Sequence, residues 1–512
     1  VSMWVHARQD SSFLIMGQSG FSGAFLGQIE GASAAMAHSY WHELHGWRVD
    51  GLYADKSLFQ QGGGFDVAAG RFTASDDGLY LVSTHVRMSN ADHGYYRVGI
   101  GLNGAPDFNN GMSVIDGHPE PGFADFTISG VMNLVVGDFV SVWAYANEDD
   151  SFEVTSQSGF SCVALESVSG SLGFGADLLR SQSLSAGWTE IGGWSTAGTE
   201  GRAGLFEIGG GFDRSTGRYS ATTSGIYYAG AQIRLDEADV GTFGISLSLN
   251  GEVDRNNALY VVDGLPAPDY SHLSVSGVFR LQADDFVSVW LYASGDRIFS
   301  ANSQSGFSCA RLDTSTGFAA DLAEEKRVTS VGWTELQGWE TSGVNGRISL
   351  FLANVDRNFD DRQGRYSAGD GIATKDGHYF CAANVALTEA EQGHFKVAIA
   401  INGNPSTENG LHAANAKKTP IKGFSVSGML HLDVGDFVSI WVFSQSDSNF
   451  VVHTHSGFAC AMLPTADGFS ADMPSPGSVA EYREWAAEPV GSVILPPMVD
   501  FANGRYTAQQ TA

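Results

Sequence analysis

The sequence predicts an all-β protein made of tandem β-sandwich or jelly-roll domains, on three observations. Four short signatures recur in the same order along the chain at a domain-sized spacing. Between turns, apolar and polar residues alternate, which is the period of a β-strand. The 512 residues include 64 glycines and 13 prolines, and no segment has the pattern of an amphipathic helix. Because a chain of this length exceeds one hydrophobic core, several domains are expected.

The four signatures define the repeat. They are Gly-Arg-aromatic, Asn-Gly after an alternating strand, Asp-Phe-Val-Ser-aliphatic-Trp, and Ser-Gly-Phe-x-Cys. They begin at residues 70, 217, 364 and 504 for the first, 103, 250 and 402 for the second, 138, 285 and 436 for the third, and 158, 305 and 456 for the fourth. The spacing of 147 residues between positions 70, 217 and 364 is the size of a whole domain, not of a solenoid unit.

The pattern within one repeat is β throughout. Residues 217–235 alternate and are rich in Tyr, Ile and Thr, with Gly225 at a turn, and residues 241–251 alternate up to Asn250-Gly251, a typical hairpin sequence. We expect about eight to ten short strands per repeat, which is typical of a sandwich or jelly roll.

The joints between repeats are short. A new repeat begins at residues 173, 317 and 468, a few residues after the last strand of the repeat before it, so the domains are not expected to tumble freely. Trp4 and Gly20-Phe21 match Trp143 and Gly159-Phe160 at an offset of 139. The predicted domains are therefore 1–27, the last strands of a truncated domain; 28–166, 167–313 and 314–465, three complete domains; and 466–512, the beginning of a further domain.

Charge and hydropathy narrow the class of protein. The net charge of -29 argues against nucleic acid as a partner and against charge-driven binding to acidic membranes. No apolar stretch reaches the roughly 18 to 20 residues needed to span a bilayer. No catalytic constellation is present, so the chain is not expected to be an enzyme. These properties favour a secreted, extracellular protein.

The ordered motifs resemble those of a known family. Gly-Phe-Ser-Ala-Asp, Phe-Asp-x3-Gly-Arg-Tyr, Gly-Ile-Tyr-Tyr, Leu-Asn-Gly, Val-Ser-Gly, Gly-Asp-Phe-Val-Ser-Val-Trp and a final Ser-Gly-Phe are similar to the globular head of complement component 1q, which shares the tumour-necrosis-factor-like jelly roll. The resemblance covers essentially the whole chain. It implies two-sheet jelly rolls that pack as trimers around apolar faces, and heads that recognise proteins, glycans or other surfaces.

The chain departs from that family in having several heads in one polypeptide and no Gly-X-Y collagen stalk. Trimer-like packing between its own domains is therefore expected, and packing that does not close would generate a filament. The leading hypothesis is an extracellular structural protein that self-assembles into a filament or matrix. The alternative is a secreted multivalent recognition protein, lectin-like or immune, that binds glycan or protein ligands.

The loop after Asn-Gly is a candidate calcium site. Asp107 and Asn110 in the first complete repeat match Asp254 and Asn257 in the second. Clustered side-chain oxygens suit calcium, but turns have the same composition without a metal. No other cofactor is expected.

Aromatic and sulfur residues supply the remaining candidates. The tryptophans near the start of each repeat are either core residues or contacts between domains: Trp41, Trp188, Trp333 and Trp485. Four cysteines are too few for a disulfide framework, and those of the last strand are expected to be small buried residues. In the jelly roll that the resemblance implies, Cys381 would lie beside Cys460, so this pair is a possible disulfide.

Overall fold

The computed structural model of the chain contains three jelly rolls and a short hairpin. It describes residues 41–49, 58–91, 94–106, 111–117, 123–149, 152–165, 170–197, 204–238, 241–251, 253, 258–265, 270–294, 299–341, 351–353, 359–360, 365–367, 376–391, 393–405, 411–415, 421–463, 467–473, 499–500 and 505–506. Every helix or strand assigned in these residues is a strand, which confirms the predicted all-β class.

The strands follow the repeats. The first jelly roll contains β1 (Trp41–Glu43), β2 (Phe59–Gln61), β3 (Phe65–Asp66), β4 (Arg71–Thr73), β5 (Gly78–Ser89), β6 (Tyr95–Leu102), β7 (Met112–Gly117), β8 (Phe123–Leu134), β9 (Phe139–Ala146), β10 (Glu153–Val154) and β11 (Gly159–Ala164). The second contains β12 (Gly173–Leu178), β13 (Gln182–Leu184), β14 (Gly187–Glu190), β15 (Trp194–Ser195), β16 (Phe206–Ile208), β17 (Phe212–Asp213), β18 (Arg218–Ser220), β19 (Gly225–Asp236), β20 (Gly241–Leu249), β21 (Ala258–Leu265), β22 (Tyr270–Leu281), β23 (Phe286–Ala293), β24 (Phe299–Ala301) and β25 (Gly306–Leu312).

The third jelly roll has the same series of strands. They are β26 (Gly317–Leu322), β27 (Lys326–Val328), β28 (Gly332–Glu335), β29 (Trp339–Glu340), β30 (Phe351–Ala353), β31 (Phe359–Asp360), β32 (Arg365–Ser367), β33 (Gly377–Thr388), β34 (Phe395–Ile401), β35 (Leu411–Asn415), β36 (Lys422–Leu432), β37 (Phe437–Ser444), β38 (Phe450–Val452) and β39 (Gly457–Leu463). Three strands follow it: β40 (Gly468–Asp472), β41 (Val499–Asp500) and β42 (Arg505–Tyr506). The last two pair with each other and belong to a separate unit of residues 1–34 and 478–512.

Each jelly roll consists of two antiparallel sheets. In the second jelly roll the outer sheet has the order β17-β18-β23-β20-β21, with β14 on β23, and the inner sheet has the order β13-β24-β19-β25-β12-β15, with β16 on β12 and β22 on β19. The third repeats both orders, as β31-β32-β37-β34-β35 with β28 on β37, and β27-β38-β33-β39-β26-β29 with β30 on β26 and β36 on β33. Neighbouring strands that lie far apart in sequence are typical of a jelly roll.

The first jelly roll differs in one strand. Its outer sheet has the usual order, β3-β4-β9-β6-β7 with β1 on β9. Its inner sheet runs β10-β5-β11-β40-β2, with β8 on β5. Whereas β25 and β39 pair with the first strand of their own repeat, β11 pairs with β40, which follows the third jelly roll. We call β40 the closing strand, and it lies at the start of residues 466–512, which the repeat spacing assigns to a further domain.

The arginine of the Gly-Arg-aromatic signature connects β4 to β1 in the outer sheet through an ion pair. Nε and Nη2 of Arg71 donate to the two carboxylate oxygens of Glu43 at 2.7 and 2.6 Å. Arg218 and Glu190 form the same bidentate pair in the second jelly roll, with both distances 2.8 Å. The glycine is required because Gly70 has φ of +65°, and a Cβ there would lie 2.3 Å from a backbone carbonyl oxygen.

The Asn-Gly signature joins the end of one outer strand to the start of another. Asn103 has a positive φ of 59°, its Nδ2 donates to Asp138 at 2.7 Å, and its Oδ1 accepts from the Phe139 amide at 2.9 Å. Asn250 and Asn402 make the same two bonds in their repeats. The signature therefore links the second and third sequence motifs. In the third repeat Asn402-Gly403 also forms a tight two-residue turn, across which Ile401 and Asn404 pair.

Each sandwich has its own apolar core. The tryptophans Trp47, Trp194 and Trp339 are at most 2% exposed, and each indole donates to the carbonyl three residues earlier at 2.8 to 3.0 Å. Their rings lie 5.7 to 5.9 Å from the phenylalanine of the Ser-Gly-Phe signature. The hydrogen bond offsets the desolvation cost of the buried indole N–H, so the large ring can fill the core.

Candidate functional site at the contacts between the jelly rolls

The three jelly rolls share a fourth apolar core, to which all of them contribute. We call it the shared core. Its members are Phe59, Leu79, Leu81, Val131, Val163 and Leu165 from the first jelly roll, Phe206, Ile226, Tyr228, Val278, Ala310 and Leu312 from the second, and Ala319, Phe380, Ala382, Met429, Ala459, Ala461 and Leu463 from the third. All of these side chains are buried.

The shared core arises from strict alternation along the inner strands. In β19, Tyr227 packs in the core of its own sandwich, whereas the next residue, Tyr228, packs in the shared core. Successive side chains of a strand point to opposite faces, so both faces of the inner sheet are covered. This explains why β5, β19 and β33 are buried along nearly their whole length, including their polar residues.

Three polar contacts connect the jelly rolls in a cycle. Tyr228 of the second donates to Ser129 Oγ of the first at 3.0 Å. Asn384 of the third donates to the Ser276 carbonyl of the second at 2.8 Å, and Ser83 of the first donates to the Ser427 carbonyl of the third at 3.0 Å. Ser129, Ser276 and Ser427 occupy the same position, the serine of the Ser-Gly-aliphatic motif. The packing of the three jelly rolls is therefore trimer-like and closes within one chain. The expectation that such packing stays open and thereby generates a filament is wrong for these three domains, so a filament would need a different contact.

The interface between the first and second jelly rolls contains two arginines. Arg97 Nη2 donates to Gln304 Oε1 at 2.7 Å, and Arg234 donates to the same oxygen. Arg234 also forms an ion pair with Asp236 at 2.8 Å. Burial and the neighbouring Arg234 lower the pKa of Arg97. Gln304 thus separates two like charges, and Asp236 compensates one of them.

The interface between the first and third jelly rolls contains a second charged cluster. Arg87 lies directly opposite Asp125 in the paired strands β5 and β8. Its Nη2 lies 3.2 Å from His394 Nε2 of the third jelly roll. Lys396 follows His394 by two residues and lies in β34. It interacts electrostatically with both Arg87 and Asp125. Arg87 is only 5% exposed, and Asp125, His394 and Lys396 are half-buried, so this is a largely buried ionic cluster between domains.

Burial changes the pKa of each titrating member of this cluster. It raises the pKa of Asp125 to about 6, against the opposing effect of Arg87 and Lys396. Burial and then Arg87 and Lys396 lower the pKa of His394 to about 4. Burial and then Arg87 lower the pKa of Lys396 to about 8. At neutral pH His394 is therefore uncharged, and Asp125 is the counter-ion of the two cations.

A histidine pair lies at the edge of the same interface. The ring of His378, in the third jelly roll, stacks on Phe59 of the first at 3.7 Å between centroids, and its Nε2 lies 2.9 Å from Gln61 Oε1. His431 is 3.3 Å from the other ring nitrogen. Burial and then His431 lower the pKa of His378 to about 4. The stacked imidazole is thus neutral at pH 7.

The interface between the second and third jelly rolls has a different character. The position of Arg97 and Lys396 is Gly244 in the second jelly roll, and the position of Arg87 and Arg234 is Ala386 in the third. There the Tyr228 and Phe380 rings meet edge to face at 5.1 Å. The three interfaces are consequently not interchangeable, since two carry a pair of basic residues and the third has small residues in their place.

The predicted tryptophan positions lie on the outer sheets. Trp41 contacts Tyr145 at 5.5 Å, Trp188 contacts Tyr292 at 5.2 Å, and Trp333 contacts Phe443 at 5.2 Å, each within its own jelly roll. All three are half-buried. These ring contacts correspond to the packing alternative, and a role between domains stays a prediction. Trp485 lies outside the described residues.

The predicted calcium positions are four loop residues. Asp107, Asn110, Asp254 and Asn257 all lie outside the described residues. Within the described ranges, no group of three or more His, Cys, Asp or Glu side chains is arranged to hold a metal ion. The same ranges contain no helix long and apolar enough to cross a membrane.

The last-strand cysteine forms a disulfide in only one of the three jelly rolls, and the residue opposite it in the neighbouring strand decides this. Cys381 and Cys460 lie opposite each other on β33 and β39 and form a disulfide. Cys162 and Cys309 are free and buried, since Val82 and Ala229 stand opposite them. Burial raises the pKa of both thiols, so they are expected to be unreactive.

Comparisons with known proteins concern single jelly rolls. No protein-family model and no curated protein sequence matches the chain. Among solved structures, murine APRIL at pH 5.0 is 18% identical, with 28% of this chain and all of that chain covered and a TM-score of 0.22. The globular domain of zebrafish complement 1qA is 16% identical, with 27% and 94% covered and a TM-score of 0.21. The Eiger TNF structure from S. frugiperda is 13% identical, with 28% and 92% covered and a TM-score of 0.22.

The fold is the C1q/TNF-like jelly roll. Its strand order, described above, agrees with the fold that the ordered motifs imply. In contrast, the residues of the contacts between jelly rolls were not among the sequence candidates. Arg87 and Arg97 stand in strands whose other side chains are mostly buried, a position that a charge occupies only when it is paired. A charge in such a strand is the signal that could have identified them.

Proposed function

We propose that this protein is an extracellular structural protein in which one polypeptide supplies a complete three-lobed unit of a filament or matrix. The observation that carries the proposal is the shared core, to which each of the three jelly rolls contributes buried side chains. Such packing of unlike domains in one chain makes the unit independent of chain concentration, because its three members are covalently linked.

The closed cycle of contacts supports a unit that behaves as one body. Each inner sheet contacts the Ser-Gly-aliphatic strand of a neighbour, and the third jelly roll returns to the first through Ser83 and Ser427. An unpaired buried charge is costly, so the ionic clusters also favour one arrangement of the three lobes over others. This design provides a rigid subunit, as a filament requires.

Electron microscopy and light scattering of the full chain test this proposal. At low concentration we expect a compact monomer with three lobes, and at high concentration regular polymers built from the same three-lobed unit. Tyr228→Glu should abolish both, since it buries an unpaired carboxylate in the shared core. The matched control is Val331→Glu, at a residue 55% exposed, which should assemble normally.

The alternative function, multivalent recognition, predicts a different result. A recognition protein would remain monomeric at every concentration and bind glycan-bearing or protein-bearing surfaces as a dispersed species. The paired exposed valines Val135 and Val136, 52% and 62% exposed, would be the first contacts to examine. A chain that never polymerises and binds such surfaces would overturn the structural proposal in favour of this one.

A further inference from the structure

We propose that the position between β11 and β2 of the first jelly roll is a strand-acceptor site, and that in the assembled state it takes the closing strand of a second copy of the chain. This inference rests on the proposed function, because it supplies the contact through which three-lobed units would join. The first jelly roll is the acceptor and the third, which precedes the closing strand, is the donor.

The acceptor site exists because the first repeat lacks the motif of its own first strand. In the second and third repeats this strand begins with Gly-Phe-x-Ala-Asp, at residues 173 and 317. In the second repeat the motif ends at Asp177, 11 residues before Trp188. The same spacing before Trp41 places the motif of the first repeat at residues 26–30, whose sequence is Leu-Gly-Gln-Ile-Glu. The aromatic residue is missing there, whereas residues 468–472 contain the full motif.

The closing strand provides the backbone pairing and the phenylalanine that the first repeat lacks. Its five residues pair with β11 from Gly159 to Val163, and three of them pair with β2 on the other side. Phe469 is fully buried and stacks on Phe65 at 3.7 Å, as Phe174 stacks on Phe212 at 3.8 Å in the second jelly roll. The site is therefore a built slot for this sequence, with a pocket for the phenylalanine.

The first jelly roll also holds both ends of the strand. At one end, Ser75 Oγ donates to Asp467 at 2.7 Å. At the other, the backbones of Arg48 and Asp472 exchange two hydrogen bonds at 2.8 and 2.9 Å. All these contacts join the closing strand to the first jelly roll. They would consequently be the same whichever copy of the chain provides the strand.

Whether the closing strand binds its own chain or a second copy therefore depends on the protein concentration. The strand is joined to the third jelly roll by four residues, 464–467, and the same number, 313–316, separates β25 from β26. Domain swapping replaces a contact within a chain by the identical contact between chains, which is a low-cost route to association. Because donor and acceptor belong to different jelly rolls, the contact is head to tail and can continue into a polymer.

A cross-linking experiment with two single variants tests the exchange. Ser161 and Ser470 lie directly opposite each other in the ladder. We would mix the full chains Ser161→Cys and Ser470→Cys, each with Cys162→Ala and Cys309→Ala, refold them together at increasing concentration and oxidise them. A disulfide between two chains then forms only if the strand of one copy lies against β11 of another. Peptide mass spectrometry identifies the joined residues.

The matched control uses the equivalent pair in the third jelly roll. Ala319 and Ala459 are opposite each other in the same way, but β26 is the strand of its own repeat. We expect cross-linked dimers and larger species from the Ser161→Cys and Ser470→Cys mixture, increasing with concentration, and at least tenfold less product from a mixture of Ala319→Cys and Ala459→Cys.

Two results separate this inference from the proposed function. If polymers form, but the mixture gives no cross-link and the double variant Ser161→Cys/Ser470→Cys closes only within single chains, strand exchange is wrong and polymers form through another surface. If cross-linked dimers form in the mixture without any polymer, exchange holds and the structural function is wrong. Equal cross-linking in both mixtures would also overturn the inference, because it would indicate non-specific swapping.

Discussion

Arg87 occupies a position where a charge depends entirely on its neighbours. It projects from a strand that is buried on both faces, opposite Asp125 and beside His394 of another jelly roll. A buried charge that loses its partner costs more free energy than the pair gains, so single and double substitutions at such a site should not be additive. This property allows the electrostatic role of Arg87 to be separated from its packing.

We predict that Arg87→Met lowers the free energy of unfolding by about 3 kcal/mol at pH 7, since Asp125 loses a compensating charge in a buried site. The same substitution in an Asp125→Asn background should cost much less, because no carboxylate is then left uncompensated. Urea denaturation of the four proteins measures both values. Equal losses in the two backgrounds would mean that Arg87 acts through packing alone.

At the scale of elements, the closing strand pairs with two strands of the first jelly roll and adds a buried phenylalanine to its core, although it follows the third. We predict that Phe469→Ala lowers the stability of the first jelly roll by about 3 to 5 kcal/mol, the usual cost of removing a buried phenylalanine side chain. Hydrogen exchange should accelerate in β11 and β2. The matched variant Phe174→Ala should accelerate exchange in β25 instead. Unchanged exchange in β11 after Phe469→Ala would contradict the placement of the strand.

The disulfide is a second element-scale feature and should act on one jelly roll only. The bond between Cys381 and Cys460 closes a loop with a sequence separation of 79, which corresponds to about 4.5 kcal/mol in the loop-entropy treatment. We predict that reduction accelerates hydrogen exchange in β33 and β39 and leaves the other two jelly rolls unchanged.

Cys381→Val is the control for this prediction, because it reproduces the Val82 and Cys162 pair of the first jelly roll. The reductant should have no further effect on that variant. An equal response to reductant in the variant and in the unchanged chain would show that the effect lies elsewhere.

At the scale of the whole molecule, buried histidines make stability depend on pH. Burial lowers the pKa of His85 to about 4, and His378 and His394 are lowered to the same value. Since the unfolded chain then binds more protons between pH 4 and 6.5, stability falls as the pH decreases through that range. Asp125 acts in the opposite direction, because its raised pKa favours the folded state at low pH. The combined effect of the three histidines on the free energy of unfolding is larger than that of this one carboxyl group.

We predict that the three-lobed unit loses stability on acidification from pH 7 to 4.5, and that His85→Gln removes about 2 kcal/mol of this loss. Glutamine is a suitable replacement because Gln232 stands at the same position in the second jelly roll. Thermal unfolding across the pH range measures the difference. An identical pH dependence in the two proteins would show that His85 does not contribute.

Much of the fold could be predicted from local patterns. Strand period, the 147-residue repeat and the ordered motifs together indicate three complete jelly rolls, because period and turn chemistry depend on neighbouring residues. The candidate site was much less accessible. Its residues, such as Tyr228 and Arg87, contact residues of other domains, and the repeat spacing does not indicate which surfaces of the domains meet.

Local sequence patterns indicate that a strand is buried, whereas the domain that covers each of its faces depends on tertiary packing. Alternation along β19 indicates two covered faces, but it does not distinguish the face covered by the same sandwich from the face covered by a neighbouring jelly roll. Likewise, the motif at residues 468–472 predicts a first strand without stating which jelly roll it completes. The physical reason is that hydrophobic burial has no direction, so the choice between partners depends on long-range packing.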